Sequence, residues 1–419
     1  MKIIIVNYRY FISGGPERYL FNIKEIFEQH GHTVIPFSVK HNKNLETEYE
    51  EYFMKPIGKG DEVFANEYEK TSPKTVFTVL GRMWYSFEAK NKLKRLINKV
   101  KPDLVYVLHF QNKMSASVID AAYGMNVPVV QRISDFGHIC VNNSFFINQK
   151  NEVCERCLHG SRINAIRFRC VHNSYFESLA KVIALKIQDL RKTVRKISAF
   201  VIPADFTSKK FIEFGVPQHK IHCIPTFYNG ADKEMKEIGY GDYFLYVGRV
   251  DREKGMMTMI KAFENTSYKL IIIGSSKDGY DEYLKSYLAD KKHHISFLGK
   301  LDFNDIKPYL QTCLCTLCPS LCYDNLPNSV LESYAYEKGV IASRLGPLID
   351  QIEDNGTGLH FEAGNHLDLQ AKARFIFENR EKALCFGKKG KEKLLAEYSE
   401  TFHYQKLIQL FDTLIISKN

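Results

Sequence analysis

The feature that most constrains the fold of this chain is an alternation of short β-branched runs with helical patterns, which occurs as two successive series. The first series starts with a run at 3–6, a Gly-Gly turn and a helical stretch at 17–29, and continues with runs at 33–37, 104–108, 127–131 and 200–203. The second series has runs at 243–247, 269–273, 295–298, 313–317 and 339–342. Because parallel strands need a crossover between them, alternation of this kind is typical of α/β domains. We therefore predict an α/β fold of two Rossmann-like domains facing a central cleft.

The length of the chain agrees with two domains, since 419 residues exceed what one ordinary core accommodates. We predict an N-terminal domain at 1–225 and a C-terminal domain at 226–400. A loose segment from about Pro225 to Gly241 joins them. A final helix within 401–419 is expected to cross back to the N-terminal domain.

Composition and charge limit the classes of function that this chain can have. The chain is 45% hydrophobic and 25% charged, and it lacks an apolar run of the ~18–20 residues that span a bilayer. Its first apolar run is too short for a signal-peptide core, so we expect a cytoplasmic protein. Residues 1–240 carry a net charge of +11 and residues 241–419 a net charge of −1. A basic first half suggests an anionic partner, either nucleic acid or an acidic membrane surface, although an ordinary solvated surface explains it as well.

A glycine-containing turn follows the strand predicted at 243–247. Gly248 lets the backbone turn tightly, and the helix that starts beyond it presents N–H groups to an anion. Arg249 and Lys254 add two positive charges to the same turn. The segment therefore predicts a diphosphate site, with a solvated surface loop as the alternative.

A second motif follows the strand predicted at 313–317. Pro327 suits the first turn of a helix, where its missing N–H costs nothing, and Asn325 or Leu326 would cap that helix. Asp324 lies just before the helix, and Glu332 lies between one and two turns inside it. This arrangement predicts a second anion site with an acidic residue at its mouth.

These motifs together resemble the family 4 retaining glycosyltransferases. The resemblance rests on the order and spacing of Arg249-x4-Lys254, Asp324-x7-Glu332 and residues 354–358 (DNGTG), together with residues 14–17 (GGPE) after the first strand. It extends over nearly the whole chain and implies the GT-B fold.

The resemblance also implies roles for these residues. Arg249 and Lys254 would hold the donor diphosphate and stabilise the leaving group, Asp324 would contact the donor sugar, and Glu332 would contact the ribose. Gly14 and Gly15 would close over the phosphate, and the remaining donor-binding positions would be Gly248, Asn325, Leu326, Pro327 and Asn328. The implied mechanism is front-face substitution with retention, which requires no cofactor and no catalytic metal.

Two positions depart from the family pattern. The first acidic position is usually Glu, whereas this chain has the shorter Asp324. Many relatives also have a His-Asp pair after the strand predicted at 127–131, and here the pair is Ser134-Asp135. Asp135 is retained and counted as catalytic. His109 and His138 are the nearest substitutes for the missing histidine, or else ordinary structural histidines.

Four cysteines follow Asp135 in an insertion at about 136–172. Cys140, Cys154, Cys157 and Cys170 have the spacing C-x13-C-x2-C-x12-C. A C-x2-C knuckle suits tetrahedral thiolate ligation, so the insertion is a candidate for a structural zinc site. The alternative is four reduced cysteines packed in a loop.

The sequence thus predicts an enzyme that moves a sugar from a nucleotide diphosphate donor to a glycan or lipid-linked acceptor in cell-envelope polysaccharide assembly. Segments 90–101 and 176–200 mix basic and apolar residues at helical spacing, so either could lie on an anionic membrane at the inner face of the cell membrane, or be an ordinary core-packed helix. A nucleotide-sugar epimerase on the same scaffold is the enzyme alternative. A nucleic-acid-binding protein is less favoured, because the basic residues are spread over many helices without a known binding motif.

Overall fold

Two parallel sheets of six strands each organise the protein. The computed structural model describes residues 1–58, 73–229, 238–276 and 278–417. Within the predicted loose segment between the domains, residues 230–237 lie outside this description. In the described part of the chain, no helix combines the length and apolarity needed to cross a membrane.

The first sheet is built from the first half of the chain. The strands of this half are β1 (Lys2–Asn7), β2 (Thr33–Phe37), β3 (Leu104–His109), β4 (Val129–Arg132), β5 (Phe146–Ile147), β6 (Glu152–Val153), β7 (Ala199–Ile202) and β8 (Ile221–Cys223). Six of them form a parallel sheet in the order β2-β1-β3-β4-β7-β8, while β5 and β6 pair antiparallel in the cysteine-containing insertion.

Helices cover both faces of this sheet. They are α1 (Gly15–Gln29), α2 (Pro73–Tyr85), α3 (Phe87–Val100), α4 (Ser117–Tyr123), α5 (Ile163–Arg167), α6 (Tyr175–Leu190), α7 (Thr193–Lys196) and α8 (Asp205–Glu213). Alternate strand residues enter two separate apolar clusters, as Ile4 and Val6 do on one face and Ile3 and Ile5 on the other. A sheet buried on both faces explains why its strands have continuous apolar sequences.

The second sheet repeats this plan. Its strands are β9 (Tyr243–Val247), β10 (Lys269–Ile273), β11 (Ile295–Gly299), β12 (Cys315–Cys318), β13 (Val340–Ser343) and β14 (Gly358–Phe361). Their spatial order is β11-β10-β9-β12-β13-β14, all parallel. The accompanying helices are α9 (Met256–Phe263), α10 (Tyr280–Leu288), α11 (Phe303–Thr312), α12 (Asn328–Ala335), α13 (Leu348–Gln351), α14 (His366–Glu378) and α15 (Arg380–Glu397).

The last helix, α16 (Glu400–Ile416), packs on the first half of the chain. Leu407 and Phe411 are buried in the cluster that also contains Ile3, Ile5 and Tyr19. The ring of His403 lies 2.9 Å from the Tyr19 hydroxyl and 2.6 Å from the carbonyl oxygen of Pro225. The helix therefore connects the end of the second sheet to the core of the first.

Candidate functional site

The carboxyl ends of both sheets face one cleft, and the Gly-Gly turn lies at its wall. Gly14 precedes α1 and Gly15 is its first residue. A side chain at Gly15 would place its Cβ 3.2 Å from Nδ2 of Asn328, the first residue of α12. The starts of α1 and α12, one from each domain, therefore approach each other across the cleft.

The turn after β9 is held tightly against the loop after β12. The Tyr246 hydroxyl donates a hydrogen bond of 2.6 Å to the carbonyl oxygen of Arg249. Gly255 has a φ of +70°, and a Cβ there would lie 1.8 Å from the carbonyl oxygen of Pro319. Only glycine fits this position, since the conformation is left-handed and the neighbouring strand end is in direct contact.

Lys254 and Asp324 form the ion pair at the centre of the site. The Lys254 ammonium donates to Oδ1 of Asp324, and the Ser320 hydroxyl donates to Oδ2 of the same carboxylate. Both side chains are largely buried. Burial acts to lower the pKa of Lys254, but the Asp324 carboxylate outweighs it and raises that pKa above its ordinary value. Lys254 is therefore a fixed positive charge at any physiological pH.

Arg249 is more exposed than Lys254, with 57% of its side-chain surface accessible. Its guanidinium forms ion pairs with Asp251 and Glu253 of the same turn, the second at 2.7 Å. Burial acts to lower the pKa of Arg249, but these carboxylates raise it overall. An anion that enters the cleft would compete for this cation with two partly buried carboxylates.

Helix α12 starts later than the sequence motif suggests. Its first residue is Asn328 and its N-cap is Pro327, and no described side chain donates or accepts a capping hydrogen bond there. The prediction that Asn325 or Leu326 caps this helix is wrong. Leu326 has a φ of +57° and its side chain is buried, so the chain turns there before the helix begins.

Glu332 lies just over one turn inside α12 and faces the first domain. Burial raises the pKa of Glu332, while the positive charge of Arg18 on α1 acts to lower it. Asn325 also faces the first domain, because its amide donates to the carbonyl oxygen of Ile133 at 3.1 Å and accepts from the Thr207 hydroxyl at 3.0 Å.

On the first-domain side, Asp135 follows β4 and is held by its own loop. It accepts hydrogen bonds from the Gly137 amide at 2.8 Å and from Nδ2 of Asn143 at 3.2 Å. Ser134, at the position of the family's usual histidine, accepts a 2.6 Å hydrogen bond from the Arg132 guanidinium. The residue next to Asp135 is therefore a serine whose hydroxyl oxygen already accepts a hydrogen bond from Arg132.

The two candidate replacement histidines have different surroundings. His138 is buried, lies 3.0 Å from Oε1 of Gln131 and contacts aromatic rings, and burial lowers its pKa to about 4. It is a structural histidine. His109 ends β3; burial lowers its pKa, and the nearby Asp135 carboxylate acts to raise it. Its Nδ1 has no hydrogen-bond partner among the described residues.

The four cysteines of the insertion are neighbours, but they are not gathered around one point. Cys157 and Cys170 pack on a small apolar cluster, and the Cys140 thiol donates to Oδ1 of Asn142. Burial and the neighbouring sulfurs raise the pKa of the Cys157 and Cys170 thiols. In the described chain no three of these sulfurs lie within 4.8 Å of one another, whereas thiolates on one zinc ion are about 3.8 Å apart. Ligation of one zinc ion would require the loop to tighten, and the zinc site stays a prediction.

Sequence reasoning assigned no role to three residues of the site: Arg18, Ser320 and Tyr323. Arg18 and Tyr323 act across the cleft, and no local pattern marks them. Ser320 lies in the loop after β12, and its bond to Asp324 depends on how that loop folds back.

Comparison with known proteins identifies a family match in the second half of the chain. Residues 232–393 match the family model of the glycosyl transferases group 1. The chain is 29% identical over 201 residues to an uncharacterized glycosyltransferase of Methanocaldococcus jannaschii, covering 48% of this chain and 55% of that protein. It is 22% identical over 231 residues to a lipopolysaccharide 1,2-N-acetylglucosaminetransferase of Salmonella typhimurium, covering 48% and 60%. The chain thus spans little more than half the length of these curated relatives.

Two solved structures resemble the protein over almost its full length. Sucrose-phosphate synthase from Thermosynechococcus elongatus has a TM-score of 0.69 at 16% identity, covering 99% of each chain. The Anabaena protein HepE, solved in complex with UDP, has a TM-score of 0.63 at 14% identity, covering 99% of this chain and 100% of that one. Residues 232–393 thus match the glycosyl transferases group 1, and the whole chain has the GT-B fold.

Proposed function

We propose that the protein is a retaining glycosyltransferase that moves a sugar from a nucleotide diphosphate donor to a hydroxyl of a glycan or lipid-linked acceptor. The observation that carries this proposal is the pairing of Lys254 with Asp324 beside Arg249, where β9 and β12 end. Two cations, the uncapped start of α12 and a carboxylate then lie around one point. Such a site suits a diphosphate attached to a hydroxyl-rich sugar.

The chemistry follows from the charges. As the bond between sugar and diphosphate breaks, negative charge grows on the leaving oxygen, and Arg249 and Lys254 stabilise it more in the transition state than in the ground state. Asp324 accepts hydrogen bonds from the sugar hydroxyls, and Glu332 accepts them from the ribose. The acceptor hydroxyl enters from the first-domain side, near Asp135 and His109, on the face that the diphosphate leaves.

The proposed acceptor class is supported by one curated relative and by the net charge of the first half of the chain. One curated relative is named for lipopolysaccharide, and residues 1–240 of this chain are strongly basic. An acceptor on an anionic membrane would be concentrated near such a domain. We therefore assign the reaction to cell-envelope polysaccharide assembly on the inner face of the membrane.

The experiment measures release of nucleoside diphosphate from a panel of UDP-, GDP- and dTDP-sugars, with and without lipid extract as acceptor. Arg249→Ala and Lys254→Ala should each lower turnover by about 100-fold or more. The matched control is Lys269→Ala, which breaks an exposed ion pair with Asp242 on the same domain. If both site variants turn over like the control, the site is misplaced. An isomerised donor sugar without acceptor would instead indicate an epimerase.

The membrane part of the proposal rests on α6, whose outer face is apolar. Phe176, Leu179 and Leu190 are exposed, and with Ile183 and Lys186 they lie on one side of the helix. The other predicted segment, 90–101, is different, because its side chains Leu93, Leu96 and Ile97 are buried in the core. We therefore propose that α6 is the membrane contact and that α3 is an ordinary core helix.

The cations at the end of α6 divide into two groups. Arg191 and Lys196 are bound to Asp120. Lys192 and Arg195 are exposed, form no ion pair within the described residues, and line a cavity of about 350 Å³. The second pair is therefore free to meet lipid headgroups beside the apolar face.

Sedimentation with vesicles tests this contact. The protein should pellet with phosphatidylglycerol vesicles and less with phosphatidylcholine vesicles at moderate salt. The double change Phe176→Ser and Leu190→Ser should release it, whereas Leu384→Ser, at an exposed leucine of the second domain, should not. Equal recovery in the supernatant with both lipids would remove the membrane contact and leave the transferase proposal intact.

A further inference from the structure

Asp324 lies between two residues of the second domain that are both bound to the first domain. Tyr323 and Asn325 are its immediate neighbours in the chain. Asn325 bonds to the Ile133 carbonyl and to the Thr207 hydroxyl through the two ends of its amide. Asp324, which pairs with Lys254, therefore lies on a loop in which the residue before it and the residue after it both bind the first domain.

Tyr323 is inserted among aromatic side chains of the first domain. Its ring centroid lies 4.7 Å from that of Phe206, 5.8 Å from that of Phe145 and 6.2 Å from that of Phe136. The ring packs against the buried apolar cluster of the first sheet that contains Ile4 and Val6. A residue of the second domain therefore contributes to the core of the first domain, at a site next to Asp324.

The Tyr323 hydroxyl has a specific partner. It donates a 2.8 Å hydrogen bond to Oε1 of Glu155, which lies in the cysteine-containing insertion between Cys154 and Cys157. The other oxygen of Glu155 accepts from Lys210 on α8 at 3.0 Å. Both oxygens of Glu155 thus accept hydrogen bonds, which hold its side chain in place.

We propose that Tyr323 is a positioning residue, whose docking into the aromatic site and onto Glu155 sets Asp324 and Lys254 in their reactive arrangement. This inference rests on the proposed transfer reaction. When the domains separate, Tyr323 and Asn325 lose their partners together, and the loop that carries Asp324 loses its support. The chemical step then occurs only in the docked state, and the cysteine-containing insertion contributes to it through Glu155.

The structure allows the hydroxyl and the ring to be tested separately. Tyr323→Phe removes only the bond to Glu155, and Tyr323→Ala removes the ring as well. Tyr287→Phe is the matched control, because Tyr287 also donates to a carboxylate, Glu264, but within the second domain alone. Hydrolysis of UDP-glucose, UDP-N-acetylglucosamine and GDP-mannose gives kcat, and calorimetry with UDP and GDP gives the nucleotide Kd.

We expect Tyr323→Phe to lower kcat about tenfold and Tyr323→Ala about 100-fold or more, with the nucleotide Kd changed less than about twofold. In a Glu155→Ala background, Tyr323→Phe should have no further effect, while Glu155→Gln should retain part of the rate. Urea unfolding of each variant checks that Tyr323→Phe keeps the stability of the control.

Two outcomes would overturn the inference. One is a kcat for Tyr323→Phe equal to that of Tyr287→Phe, and the other is a loss explained entirely by weaker nucleotide binding. If Arg249→Ala and Lys254→Ala still abolish turnover, the proposed transfer reaction stands while the role of Tyr323 fails. If those two variants are also fully active, the proposed function itself fails.

Discussion

The ammonium of Lys254 donates to the carboxylate of Asp324, and this bond joins the turn after β9 to the loop before α12. The two residues are 70 positions apart in the chain. A largely buried charge that loses its partner is costly, so the pair contributes to stability as well as to the site.

The change Asp324→Asn tests that contribution. The amide keeps the shape but removes the charge, so Lys254 remains largely buried beside a neutral partner. We expect the free energy of unfolding to fall by about 1–3 kcal/mol in urea titrations, with an unchanged m value. Asp242→Asn, which breaks an exposed pair with Lys269, should cost about 0–1 kcal/mol. Equal effects would mean that Lys254 and Asp324 interact like surface charges.

Glu332→Gln should mainly affect nucleotide binding. A carboxylate accepts two charge-assisted hydrogen bonds from the ribose, whereas the amide accepts them more weakly. We expect the Kd for UDP or GDP to rise about 5- to 20-fold while kcat at saturating donor changes little. Glu353→Gln, at a carboxylate that pairs with Lys393, is the control. A fall in kcat with unchanged Kd would move Glu332 into the chemical step.

Gly255→Ala should damage the site through its backbone. The left-handed φ alone costs an alanine about 1 kcal/mol, and the new methyl group would also meet the Pro319 carbonyl oxygen at 1.8 Å. Gly279→Ala isolates the first effect, since Gly279 has a φ of +76° and no atom of the described residues lies within 4 Å of its added Cβ. We expect Gly255→Ala to lose both stability and activity and Gly279→Ala to lose only about 1 kcal/mol. Similar losses for both would contradict the close contact.

Two buried histidines predict the response to acid. Burial lowers the pKa of His138 to about 4 and that of His403 to about 3. The unfolded chain binds these protons near pH 6.5, so stability is present above that pH and is lost as the pH falls toward 4. Each histidine should contribute up to about 1.4 kcal/mol per pH unit in this window. Urea midpoints from pH 7.5 to 4.5 measure the slope, which His403→Gln should reduce and exposed His172→Gln should not.

Zinc in the insertion remains a prediction, and metal analysis tests it. If Cys140, Cys154, Cys157 and Cys170 ligate zinc, protein purified without a histidine tag should contain about one zinc per chain. The double change of Cys154 and Cys157 to Ser should then lower metal content and transfer rate while nucleotide binding survives. Cys385→Ser, at an exposed cysteine of the second domain, is the control. A metal-free and fully active preparation would establish ordinary reduced thiols.

The sequence alone was sufficient for the plan of the fold, because strand and helix patterns are local. The runs at 3–6 and 243–247 became the interior strands β1 and β9, with the expected turns and helices after them. It was insufficient for β8 and β14, which are only three and four residues long at sheet edges. Such strands exist because a neighbouring strand is already present to pair with, and that neighbour is distant in the chain.

The same division holds within the site. The sequence by itself determined the two motifs around Arg249, Lys254, Asp324 and Glu332, since each is a strand end followed by a turn and a helix. Only the tertiary structure decided that Lys254 pairs with Asp324, that Tyr323 packs against the first domain, and that the ring of His138 lies against Gln131. The bond between Tyr323 and Glu155 joins residues 168 positions apart. Contacts of that kind depend on how the two sheets come together, and local periodicity carries no information about them.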